Sequence, residues 1–161
     1  MTTVIVKFRD WVFEVDQQLT KQAYQKISSS GADTCVCNDC KNYVAYRDSV
    51  FPTEIKRLFD DLGIDYKKEV EITSWEKLPN GLHHIGGWFH FKGEILKGKD
   101  YRVPLAGGNG FTFDLTKLND SFSIGFGPGS DLTIFDDKSD LIQVEFDTNI
   151  PWVLDKELET E

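Results

Sequence analysis

The chain has 161 residues, 40% hydrophobic and 13% aromatic, enough to bury one core without disulfide staples. Its 27 acidic and 18 basic residues leave a net charge of −9, which argues against nucleic acid or an anionic membrane surface as partner and suits a basic protein. The sequence contains no bilayer-length apolar run, no signal-peptide pattern at its start and an odd number of cysteines, three in all, so a reduced cytoplasmic protein is expected.

Val4, Val6 and Phe8, then Trp11, Phe13 and Val15, alternate with mostly polar residues around Arg9-Asp10. That period of two predicts a β-hairpin, or one long bent strand. From Asp16 the period lengthens, and Leu19, Ala23 and Ile27 mark a short amphipathic helix that stops at Gly31. A second helix is expected from an N-cap at Asn38 or Asp39, carrying Tyr43, Val44 and Tyr46. A third starts at Pro52, shows the stripe Ile55, Leu58, Phe59 and Leu62, and ends at Gly63.

Beyond Tyr66 the texture becomes strand-like: Val70 and Ile72, then residues 82–91, 101–105, 111–115, 122–126, 132–135 and 141–146. Glycine and Asn/Asp turns separate these runs, as expected of an antiparallel meander. The glycine clusters at 107–110 and 125–129 lack the lysine and spacing of a phosphate loop, and read as turns and bulges. Asp131, Asp136, Asp137 and Asp140 miss the EF-hand spacing and read as a solvated turn. The acidic tail 154–161 is expected to be solvated and partly frayed. The expectation is therefore a single α+β domain over 1–161, with three helices mainly within 16–63 and antiparallel strands over 3–15 and 68–153.

The pattern least explained by composition is Cys35-Val36-Cys37-Asn38-Asp39-Cys40. A two-residue spacer lets one turn present both sulfurs of Cys37 and Cys40 to one ion, and Cys35 can add a third. Structural zinc takes four ligands, so the fourth would be a histidine, a carboxylate such as Asp33 or Asp39, or water. All three histidines lie in residues 83–90, and along a strand His84 and His90 stand about 20 Å apart, so one at most can join the site. His90, flanked by aromatics, is the expected fourth ligand of a Zn site; the same donors would accept iron.

Two other readings compete. Cys37 at a helix start is a candidate nucleophile with a lowered pKa, served by His90 as base and Cys35 as resolving thiol, although the surroundings are not a thioredoxin-like βαβ unit. Alternatively the three thiols are reduced and inert. The function expected is a non-enzymatic, metal-stabilised binding domain with an acidic face for a protein partner. The alternative is a cysteine-based redox or nucleophilic enzyme.

Several segments are similar to an uncharacterised family of small, mostly bacterial cytoplasmic proteins. They are Trp11-Val12-Phe13-Glu14-Val15-Asp16, Ala23-Tyr24, the string from Gly31 to Tyr43, Phe51-Pro52, Leu62-Gly63-Ile64-Asp65, Gly87-Trp88-Phe89-His90-Phe91, Glu145-Phe146 and Ile150-Pro151-Trp152. The cysteine string followed by Asn42-Tyr43 is the specific part. The resemblance implies no reaction, and adds weight to the cysteines and His90 acting together.

Overall fold

A computed structural model describes residues 2–130 and 132–161; Asp131 of the acidic series lies outside the described residues. The fold is α+β, as the patterning predicts. β1 (Val4–Phe8) and β2 (Trp11–Val15) form the hairpin, turning at Arg9 with φ of 50° and pairing Phe8 with Trp11. α1 (Gln17–Lys26), α3 (Asn38–Tyr46) and α4 (Thr53–Leu62) are the three longer helices, and α2 (Gly31–Thr34) is a single extra turn. The strands that follow are β3 (Glu71–Lys77), β4 (His83–Lys97), β5 (Arg102–Pro104), β6 (Phe111–Phe113), β7 (Thr116–Lys117), β8 (Phe122–Pro128) and β9 (Leu141–Ile150). They make a seven-stranded antiparallel sheet ordered β1-β2-β4-β9-β8-β7, with β3 also on β4, and a separate ribbon of β5 and β6.

The long strand β4 organises the sheet. Its first half pairs with β3 and its last residues with β2 along one edge, while β9 runs along the other. Between the β3 and β2 registers that edge would leave backbone groups of residues 88–92 unpaired. Helix α1 and its flanks fill the gap. The Tyr24 hydroxyl donates to His90 O at 2.8 Å and accepts from His90 N at 3.1 Å. Lys92 N donates to Thr20 Oγ1 at 3.0 Å, Asp16 N to Lys92 O at 2.9 Å, and Val70 N to Trp88 O at 2.9 Å. A buried backbone group without a partner costs about as much as a lost hydrogen bond, which explains why Thr20 and Tyr24 face inward. The expected stripe of α1 is thus rotated: Leu19 is exposed, and Ala23 and Ile27 are only partly buried.

Helix α4 follows its stripe. Ile55, Leu58, Phe59 and Leu62 are buried, and Gly63 at φ 87° closes the C-terminus in the left-handed region that glycine tolerates. Phe51 just before it meets Phe59, Phe89, Phe122 and Phe146 at centroid distances of 5.0 to 6.0 Å, seating helix against sheet.

Residues 132–135 are not a strand. Leu132 has φ of 29°, its carbonyl accepts from Trp88 Nε1 at 3.2 Å, and Phe135 packs edge-on against Tyr24. Asp137 then turns the chain by accepting from Ser139 N at 3.0 Å, and its carbonyl takes the Lys92 ammonium at 2.7 Å. Side chains satisfy this segment, so it needs no ladder. The tail likewise departs from expectation: residues 151–161 lie bonded along α3 and the ends of β3 and β4. Among the described residues no helix is long and apolar enough to cross a membrane.

Candidate metal centre

The cysteine segment is held at both ends before any ligand is considered. Ser30 and Asp33 form a capping box on α2, with Asp33 N donating to Ser30 Oγ at 3.1 Å and Ser30 N to Asp33 Oδ2 at 2.9 Å. Arg47 ties that turn to the sheet through Ser30 Oγ at 3.1 Å, Asp33 Oδ1 at 3.4 Å and Glu69 Oε1 at 3.2 Å. Gly31 lies so close to the residues entering β3 that a Cβ there would collide with Val70 O. Glycine is therefore required by close approach. Burial pushes the Glu69 carboxyl up to about 7, against the opposing pull of its hydrogen bonds and the Arg47 charge.

From this anchor the chain passes through Cys35 and Cys37 into α3. Cys37 is the N-cap, its sulfur accepting from Cys40 N at 3.4 Å in the place a serine or aspartate oxygen usually takes. Cys37 is exposed, Cys35 half-buried, and Cys40 reaches the hydrophobic core with 7% of its surface exposed. The Sγ atoms of Cys35 and Cys37 stand 3.1 Å apart, and all three sulfurs lie within 4.8 Å of one another. Zn–S bonds of about 2.3 Å in a tetrahedron place sulfurs ~3.8 Å apart, inside the range these atoms already span. Three cysteines this close are able to hold a metal ion.

The thiols share protons unequally. Hydrogen bonds from the Cys40 thiol, and then from the Cys37 backbone and thiol, lower the pKa of Cys35. Burial pushes Cys40 far up, and its two neighbouring sulfurs add to the shift. The neighbouring groups therefore ease ionisation at Cys35 and oppose it at Cys40, whose proton a cation would have to replace. A metal ion among the sulfurs supplies that cation.

The other expected ligands lie elsewhere. His90 is fully buried, and its Nε2 bonds Gln143 Oε1 at 3.0 Å in the middle of β4 and β9; it does not belong to the three-cysteine group. Asp33 is committed to Ser30 and Arg47, and Asp39 accepts from Thr160 Oγ1. His83 Nε2 meets Glu159 Oε2 at 2.7 Å and His84 Nε2 meets Asp147 Oδ2 at 3.6 Å. Cys37 Sγ meets Cys35 Sγ and accepts from Cys40 N.

Sequence reasoning passed over Arg47, the anchor of the loop, and singled out Asn42 only within the resemblance, without the role it takes as a buried residue of α3. Asn42 donates to Pro151 O at 3.1 Å and accepts from Val153 N at 2.7 Å. An asparagine in the middle of a helix beside Tyr43 was the available signal, because such a residue needs partners that the helix itself does not provide. No family model, no curated protein and no solved structure matches this chain.

Proposed function

We propose that the chain is a non-enzymatic zinc-binding domain of the reducing cytoplasm, with Cys35, Cys37 and Cys40 as thiolate ligands and an acidic surface that serves a protein partner. The convergence of three sulfurs within 4.8 Å carries this reading. Bound zinc supplies the charge that lets buried Cys40 ionise, and it closes the turn between α2 and α3. Among the described residues no histidine or carboxylate groups with the three sulfurs, and in this reading water or a donor from another molecule is the fourth ligand.

Cobalt(II) titration tests this. The expected result is one cobalt per chain, with intense sulfur-to-cobalt charge-transfer absorption that zinc abolishes, that is lost in Cys37→Ser and that weakens in Cys35→Ser and Cys40→Ser. No charge-transfer band in the reduced chain would remove the metal reading.

The redox reading keeps one specific support, the 3.1 Å approach of Cys35 and Cys37 sulfurs together with the lowered pKa of Cys35. It would gain if a small disulfide reagent oxidised those two thiols in zinc-loaded protein faster than it oxidised free cysteine.

A further inference from the structure

Residues 151–161 connect the cysteine turn to the sheet. Asn38 and Asp39 are the two residues between Cys37 and Cys40, and both grip the tail: Asn38 Nδ2 donates to Leu158 O at 3.2 Å, and Thr160 Oγ1 donates to Asp39 Oδ1. One turn further along α3, Asn42 holds Pro151 and Val153. The far anchor is Glu159, whose carboxylate meets His83 Nε2 at 2.7 Å and Lys77 Nζ at 3.4 Å on the paired strands β3 and β4. Trp152 stiffens the segment, donating from Nε1 to Asp155 O at 3.0 Å while its ring lies 5.2 Å from that of His83.

We propose that residues 151–161 are a strap that holds the Cys37–Cys40 turn in its chelating shape, with Asn38 and Asp39 as positioning residues, so that metal occupancy and strap seating are coupled. This rests on the reading of the cysteines as a metal site. A turn that must aim two sulfurs at one ion loses affinity when it samples other shapes, by the fraction of time spent in them. Pinning both intervening side chains to a segment anchored on the sheet removes those shapes. The coupling is reciprocal: what the strap adds to metal affinity, bound metal adds to the seating of the strap.

The test measures zinc affinity by competition with a chromophoric chelator, for the full chain and for Glu159→Gln and Thr160→Val. Neither substitution touches a sulfur; the second keeps the test decisive should the first disturb the fold. The expected result is a loss of affinity of about 5-fold or more in each, in the range of ordinary allosteric couplings. Hydrogen exchange supplies a readout that a purely structural strap would not move. Zinc should slow exchange at the amides of Leu158 and Glu159, which bond Asp155 O and Lys156 O. Wild-type affinity in both variants, or exchange at the tail that ignores zinc, overturns the strap alone. A wild-type chain that takes up no zinc overturns the metal reading, and the strap with it.

Discussion

Cys37 and Cys40 occupy different environments, so their serine variants separate ligation from folding. Cys37 is an exposed N-cap whose sulfur does a task that serine performs well. Cys37→Ser should leave metal-free stability within ~0.5 kcal/mol of wild type while abolishing metal binding, because the change is confined to an exposed cap. Cys40→Ser puts a hydroxyl into the core and should cost about 1–3 kcal/mol even without metal. Urea denaturation with and without zinc reads both. Equal losses in the two variants without metal would contradict the assignment of their environments.

A second residue-scale prediction concerns Glu145. Burial pushes its carboxyl up to about 7, against a usual 4.5, with Asp147 adding to the shift and a hydrogen bond from Gln143 Nε2 at 2.6 Å opposing it. The folded chain then holds this proton more tightly than the unfolded chain. Its stabilising influence is complete below about pH 4.5 and is lost as pH rises toward 7, and Glu69 follows the same course. Glu145→Gln keeps an acceptor for Gln143 and removes the charge. It should raise stability at pH 8 by up to ~3 kcal/mol and leave it nearly unchanged at pH 4, as thermal unfolding at the two values will show. An equal shift at both would mean that Glu145 is not held as a buried acid.

Among the elements, α1 has a role that hydrophobic periodicity does not convey. Tyr24→Phe removes the hydroxyl that bonds the His90 amide and carbonyl at the edge of β4; it should cost about 1–3 kcal/mol and should speed exchange of the His90 amide. Unchanged denaturation midpoint and exchange would mean that the hydroxyl is dispensable. This role also shows how far the sequence was legible. Alternation and the Pro52-to-Gly63 frame located β1, β2 and α4 because their cores are purely apolar. The inward face of α1 was hidden because its buried residues, Thr20 and Tyr24, are selected by the hydrogen bonds of a strand 66 positions or more away. Residues 132–135 were apolar enough to suggest a strand, but side-chain contacts with Trp88 and Tyr24 replace the ladder there. At the site, the spacing of Cys35, Cys37 and Cys40 was readable because it is local. The pairing of His90 with Gln143 and the grip of Asn38 and Asp39 on the tail depend on residues 53 and 120 or more positions apart.

In the whole molecule, a fold built around one hydrophobic cluster carries a cysteine turn pinned by Arg47 on one side and by residues 151–161 on the other. A ligand that binds only the folded form stabilises it by about 2.7 kcal/mol at a hundred times its dissociation constant. Zinc at that level should raise the melting temperature by roughly 5–10 °C for a chain of this size, and a chelator should reverse the rise. The charge of −9 predicts that association with a basic partner weakens as salt is added.

Whether Cys35, Cys37 and Cys40 hold a metal ion is decided by the metal content per chain of protein purified without an affinity tag or chelator, measured by mass spectrometry. About one zinc per chain is expected, absent from Cys37→Ser protein that remains folded. Metal-free chains with three titratable thiols, in a fold that added zinc does not stabilise, would contradict it.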